Sequence, residues 1–261
     1  MTPYFRLGLA AFCMLALAPL APLASIATAA PDATSETRPV DARVVRVKID
    51  GVVDLKLRQG SPASLVLTGD PRWIARLTTL QSGDTLIIGS EMNGARMQRQ
   101  HPVRAEMVLP DLREVSSESV GTTEITGFRG DELELSLDGA GSMNVNANYR
   151  LISASLGGVG SMKLAGMQSE GITLDLQGAG YVTLAGRSKW LKAELGGLGG
   201  LDAQHFVADS VSLELSGLGN ATVTAHQSAD LNLSGMGSVT VYGKPLNRRV
   251  SVDGLGKVSW K

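Results

Sequence analysis

The chain has 261 residues, of which 43% are hydrophobic and 19% charged, and its formal net charge is −1. Length and apolar content exclude a disordered polymer, and the balanced charge offers no electrostatic footprint for nucleic acid. The 31 glycines, set against 4% aromatic residues and a single cysteine, point to a turn-rich all-β protein.

Residues 1–29 read as a signal peptide. Arg6 supplies a positive start, an apolar run extends from Leu7 to about Leu23, and Ala27-Thr28-Ala29 forms a small-x-small cleavage site. The alternative is an uncleaved anchor, since Leu7 to Ala30 is long enough to span a bilayer. Pro19, Pro22 and the small-residue end favour cleavage after Ala29. Cys13 follows the bulky Phe12 and does not suit a lipoprotein signal, so cleavage leaves a chain without thiol chemistry. No later stretch is apolar enough for a membrane span, and residues 30–39 read as a polar linker.

Residues 40–115 carry the pattern of plain β-strands. Val45, Val47 and Ile49 alternate with Arg46, Lys48 and Asp50, and Val53-Asp54-Leu55-Lys56-Leu57 repeats the alternation after Gly51. Leu65-Val66-Leu67 and Leu86-Ile87-Ile88 are shorter strands beside the turns Gly69-Asp70-Pro71 and Ser82-Gly83-Asp84. Residues 72–80 suit a short helical or irregular crossing. Asn93 to Pro102 contains Arg96, Arg99 and His101 without interleaved aromatics, and reads as a loop.

Residues 116–261 repeat themselves. Gly-x-Gly falls at 139/141, 158/160, 178/180, 197/199, 217/219, 235/237 and 254/256, with 18 to 20 residues between successive copies. Gly121 marks a degenerate earlier copy. Five-residue alternations flank each triplet, as in Val211-Ser212-Leu213-Glu214-Leu215 and Ala221-Thr222-Val223-Thr224-Ala225, so one face is buried and the other wet. The middle residues are all apolar: Ala140, Val159, Ala179, Leu198, Leu218, Met236 and Leu255. They are expected to turn inward, with the glycines supplying backbone angles closed to other residues. Two short strands and two turns per copy predict one coil of a right-handed parallel β-helix-like solenoid, its coils about 4.8 Å apart. A string of hairpins explains the identical glycine corners less well.

These motifs resemble the bacterial exported family described as putative auto-transporter adhesin, head GIN domain. The resemblance runs from about Val40 to Lys261. It rests on Val47-Lys48-Ile49-Asp50-Gly51-Val52-Val53-Asp54-Leu55, on Gly83-Asp84-Thr85-Leu86-Ile87-Ile88, on Val108-Leu109-Pro110-Asp111-Leu112 and on the repeated Gly-x-Gly. It implies a β-solenoid, an extracytoplasmic location and a proposed adhesive role, and brings no catalytic residues. One departure is expected: the strands and coils use every residue after the signal, which leaves none for a translocator barrel.

Recognisable chemistry is sparse. His205 and His226 follow the second strands of neighbouring coils but fall out of phase, and His101 lies in the basic loop, so no metal site is expected. Nucleophile elbow, Walker loop and paired-cysteine zinc motifs are missing from the sequence. No catalytic, cofactor-binding or metal site is therefore assigned, and no cofactor is expected. A polysaccharide-cleaving β-helix would need carboxylates on long loops, whereas the inserts here, such as Arg187 to Trp190 and Phe206 to Ser210, are short. The reading favoured is a non-enzymatic binding or adhesion-like module of the cell envelope, periplasmic or at the surface. Its partner would be a glycan or an envelope protein, met by the outward residues Asn144, Asn146, Lys163, Thr183, Asp202, Thr222, Thr224 and Thr240. The alternatives are a structural envelope spacer and a carbohydrate-active enzyme.

Two further expectations follow from the repeat phase. Asp175, Glu194 and Glu214 each precede their glycine by three residues and should stack in one outward column, relieved by Lys192 and solvent or bridged by a cation. Val258 and Trp260 should occupy the inward positions of Val239 and Val241 one coil earlier, with Trp260 covering the end of the solenoid. An uncovered end would invite homo-oligomers.

Overall fold

Period-two alternation becomes alternate buried and exposed rows. The computed structural model describes residues 34–90 and 103–261. The expected signal peptide and the loop bearing Arg96, Arg99 and His101 lie outside the described residues. In chain order the elements are β1 (Thr34–Arg38), β2 (Arg46–Gly51), β3 (Val53–Gln59), β4 (Ser64–Gly69), α1 (Pro71–Ile74), β5 (Leu77–Ser82) and β6 (Thr85–Ser90). Next come β7 (Val103–Leu109), β8 (Glu114–Ser119), β9 (Thr122–Leu137), β10 (Ser142–Leu156), β11 (Ser161–Leu176) and β12 (Tyr181–Leu195). The rest are β13 (Gly200–Leu215), β14 (Asn220–Leu233), β15 (Ser238–Tyr242), β16 (Asn247–Val252) and β17 (Lys257–Trp260).

From β9 onward each strand pairs in parallel with its counterpart one coil later, so the chain is a β-solenoid. The stack does not begin at residue 116. β8 crosses that position, pairing with β2 on one side and β9 on the other, while β3 pairs with β7 and β9. Antiparallel strands occur only at this end of the described residues, where β4 pairs with β1 and β7, and β5 with β6.

Two local expectations need correction. Thr34–Arg38 is an edge strand rather than part of a linker; backbone pairing with β4 recruits it, and its exposure explains the absent alternation. The crossing at 72–80 resolves into a four-residue helix, capped by the Asp70 carboxylate accepting from the Arg72 N–H, and then into β5.

The coils built by β9 to β13 have three inward runs, not two. In β11 these are Met162 and Leu164, then Met167 and Ser169, then Ile172, Leu174 and Leu176. The middle run was expected to be a corner; Phe206, placed there in a short insert, is fully buried. A register shift marks the first bend, between Leu164 and Met167. There Gly127, Gly166, Gly186 and Gly243 adopt φ of +81°, +73°, +138° and +87°.

The Gly-x-Gly glycines do not share those angles, and their role differs from the expected one. A Cβ on Gly158, Gly178, Gly197 or Gly217 would overlap the carbonyl oxygen of the corresponding glycine one coil earlier. A Cβ on Gly180, Gly199 or Gly237 would meet the leucine packed inside the preceding coil. Close approach, not conformation, selects glycine here. With the second glycine facing the filled interior, alternation turns the middle residue outward. All seven middle residues are exposed, contrary to the inward expectation, and Val159, Leu198, Met236 and Leu255 are 60% exposed or more.

Large side chains close the first coils. Tyr149 is 1% exposed and donates its hydroxyl to the Leu112 carbonyl oxygen at 2.7 Å. Burial, reinforced by Asp111, pushes this phenol well above the ordinary tyrosine range. The folded form therefore binds its proton more tightly than the unfolded chain does. That contribution to stability is complete below about pH 10 and is lost as the pH rises above it. Tyr149→Phe is expected to cost about 1–2 kcal/mol in urea titrations at neutral pH, because it strands a buried carbonyl. It should also flatten the alkaline decline, which a pH series of unfolding midpoints would read.

Candidate functional site

Parallel stacking converts a repeat position into a row along the solenoid. Lys56, Glu124, Asn144, Lys163, Thr183, Asp202, Thr222 and Thr240 are consecutive cross-strand partners, so the expected polar face is assembled. Asn146 and Thr224 belong to a neighbouring position, paired with Ala165 and Tyr242. The face is regular and mixed in charge, and Tyr181 flanks it in the adjoining position. That ring is half-exposed and lies over Gly200, its partner in the next coil.

The carboxylate column forms as expected: Asp175 pairs with Glu194, and Glu194 with Glu214. Two of its members have neighbours that relieve them. Glu194 receives the Lys192 ammonium at 2.8 Å, and Asp175 accepts from the Gln177 amide at 2.7 Å. Among the described residues no three potential metal ligands gather anywhere. His205 and His226 are both exposed, and His226 Nδ1 lies 3.6 Å from Asp209 Oδ1 rather than beside His205.

A different group converges on the sheet that precedes the Gly-x-Gly corners. One row runs Glu132, Leu151, Gly171, Trp190; the next runs Arg46, Glu114, Glu134, Ser153, Thr173, Lys192. The Trp190 indole reaches back across Gly171, where a Cβ would collide with its six-membered ring. The ring is thus laid on the sheet as a platform, with 37% of the residue exposed. Leu151 continues this apolar strip, and Ser153 and Thr173 provide hydroxyls beside it. At the far end Arg46 pairs with Glu114 at 3.2 Å and with Asp84 at 2.8 Å. Glu132 and Glu134 have no ion-pair partner among the described residues. Together these groups line an open groove of about 440 Å³.

From Trp190 to Glu132 the groove crosses three coil spacings, about 14 Å. Sequence reasoning missed it because Trp190 was placed in a corner insert. The signal was nonetheless present: a Trp falls 19 residues after a Gly, one coil apart, and only that pairing gives the ring a bare strand to lie on. Chemically the groove offers what a sugar needs: an apolar ring face for C–H groups, and hydroxyl and carboxylate partners for its hydroxyls.

Comparison with known proteins supports the same fold. A putative adhesin from Bacteroides fragilis NCTC 9343 matches at a TM-score of 0.66 and 19% identity, over 89% of this chain and 98% of its own. A putative adhesin from Parabacteroides merdae ATCC 43184 gives 0.79 and 17%, over 88% and 96%. A putative lipid binding protein from Parabacteroides distasonis ATCC 8503 gives 0.79 and 18%, over 88% and 96%. No curated protein matches the sequence. The family model described as putative auto-transporter adhesin, head GIN domain, matches residues 45–245, and with the glycine corners and stacked coils in place the chain belongs to that family.

Proposed function

We propose that this protein is an exported binding module of the cell envelope that holds a linear saccharide in the Trp190 groove. The observation that carries this reading is the exposed indole laid flat over Gly171 at one end of a groove whose other end, about 14 Å away, holds Glu132 and Glu134 without ion-pair partners among the described residues. A rigid row of subsites at coil spacing suits a polymer better than a small metabolite, because each added unit meets another coil. Export rests on the Arg6-to-Ala29 segment and its Ala-x-Ala-like end. No helix among the described residues is long and apolar enough to cross a membrane. The names of the relatives, putative adhesins and a putative lipid binding protein, support binding or adhesion.

The test is co-sedimentation of the protein with insoluble envelope and capsular polysaccharides, with phospholipid vesicles as a parallel arm. Trp190→Ala should lower saccharide retention about tenfold or more, as loss of one aromatic anchor does. Trp73→Ala, which removes an exposed indole outside the groove, should leave retention unchanged. Equal retention of the two variants, or retention on vesicles alone, would overturn the saccharide reading. Release of soluble sugars would replace it with the enzymatic one.

A further inference from the structure

The outward residues of the glycine corners form an apolar ridge that neither the fold nor the groove requires. It begins at Val120, which the pairing of β9 with β10 places in register with Ala140. In order along the axis it reads Val120, Ala140, Val159, Ala179, Leu198, Leu218, Met236 and Leu255. The backbone holds the row straight: the Leu198 N–H donates to the Gly178 carbonyl, Leu218 to Gly197 and Met236 to Gly217, at 3.1 to 3.3 Å. Glycines on both sides leave the side chains standing alone, with Leu198 67% exposed and Leu255 81%. Monomeric proteins seldom leave a continuous apolar strip in water.

We propose that the ridge is the interface of an antiparallel homodimer, with a second copy of this chain as its occupant. Three features single out that partner. First, the ridge is low in its first half, Val-Ala-Val-Ala, and tall in its second, Leu-Leu-Met-Leu. A two-fold axis between Ala179 and Leu198 seats each tall half on a low one: Val120 against Leu255, Ala140 against Met236, Val159 against Leu218, and Ala179 against Leu198.

Second, only a surface with the same coil spacing stays in step along the whole row, and a second copy has it by construction. Third, the strip is nearly neutral. Its flanking rows carry charge only towards the ends, at Glu118, Asp138, Asp253 and Lys257; the two-fold sets Glu118 opposite Asp253 at each end, a like-charge pair that keeps the contact weak, while nothing repels a second copy at the centre and no basic residues there attract an anionic membrane. A strip about 34 Å long and about 15 Å wide covers roughly 500 Å² per copy, about 1,000 Å² in all, near the lower limit of specific interfaces. The dimer is therefore weak and reversible, micromolar or looser.

Sedimentation velocity across a concentration series should show monomer and dimer, with Leu218→Asp remaining monomeric and keeping the wild-type melting temperature. Orientation is read by single-cysteine variants in a Cys13→Ser background. Mixed Val120→Cys and Leu255→Cys proteins should form a disulfide heterodimer on mild oxidation, while neither variant alone should cross-link. A protein that stays monomeric at millimolar concentration overturns the proposal. Leu255→Cys cross-linking to itself overturns the antiparallel arrangement. Dimers that survive Leu218→Asp but vanish on changing Trp260 assign association to the solenoid end instead. A monomer whose vesicle binding is lost with Leu218→Asp assigns the ridge to lipid. Saccharide binding by the Trp190 groove is independent of every one of these outcomes.

Discussion

Gly197→Val is expected to be among the most damaging single substitutions in the coils. The added Cβ would overlap the Gly178 carbonyl oxygen, and that same oxygen accepts the Leu198 N–H at 3.2 Å. Both atoms are held by corner backbones that hydrogen bonds tie to the coils on either side, so neither can rotate away as a side chain would. Overpacking of this kind costs about 3 kcal/mol, and the lost turn hydrogen bond adds to it. Gly83→Ala is the contrast. Nothing lies within 4 Å of its new Cβ, and only its φ of +62° opposes the change, at about 1 kcal/mol. Urea unfolding should separate the two variants clearly. Because coils contact only their neighbours, Gly197→Val should also loosen the flanking coils before the N-terminal ones, an order that hydrogen exchange would resolve.

Trp260→Ser is the second large effect expected. Val239 pairs with Val258 and Val241 with Trp260, as the repeat phase required. The indole packs half-buried against the core, and the Arg248 guanidinium covers it at 4.5 Å from the ring centre. Losing that area and the cation–π contact should cost about 1–2 kcal/mol and lower the melting temperature of the last coil first. Arg248→Ala should reproduce about 0.5–1 kcal/mol of it. The cap is incomplete, since Val250 and Val252 remain 41% exposed on β16. Removing Trp260 should therefore promote concentration-dependent assembly through the end, visible by light scattering.

The solenoid was legible because its signal is periodic. Leu133, Leu135 and Leu137 or Val211, Leu213 and Leu215 alternate whatever the tertiary context, and stacking only adds in-register partners. The same logic placed Asp175, Glu194 and Glu214 in one row and Trp260 on the inward one. What failed were inferences about corners, where alternation is interrupted. Val159 and Leu198 are apolar, and hydrophobicity alone suggested burial. The direction they face depends instead on Leu137 and Leu176 having filled the interior from the coil before. Phe206 was lost in the opposite way, inside a bend whose middle inward run the five-residue alternations do not reveal. Thr34–Arg38 has no buried face and so no pattern to read.

The groove lay beyond composition for a related reason. Trp190, Gly171 and Glu132 are spread over four successive coils, and nothing in their local sequence joins them. Their meeting depends on parallel register, which a sequence repeat predicts only after the strand boundaries are known.

Saccharide contact at Trp190 is tested most directly by following backbone and indole N–H resonances of the protein while titrating a soluble oligosaccharide that the full-length polymer competes with. The account predicts that the largest shifts fall on the Trp190 indole, Gly171, Ser153 and Thr173, while Leu198, Leu218 and Met236 on the ridge stay still. Shifts confined to the ridge or to the polar row from Lys163 to Thr240, with Trp190 unmoved, would contradict it.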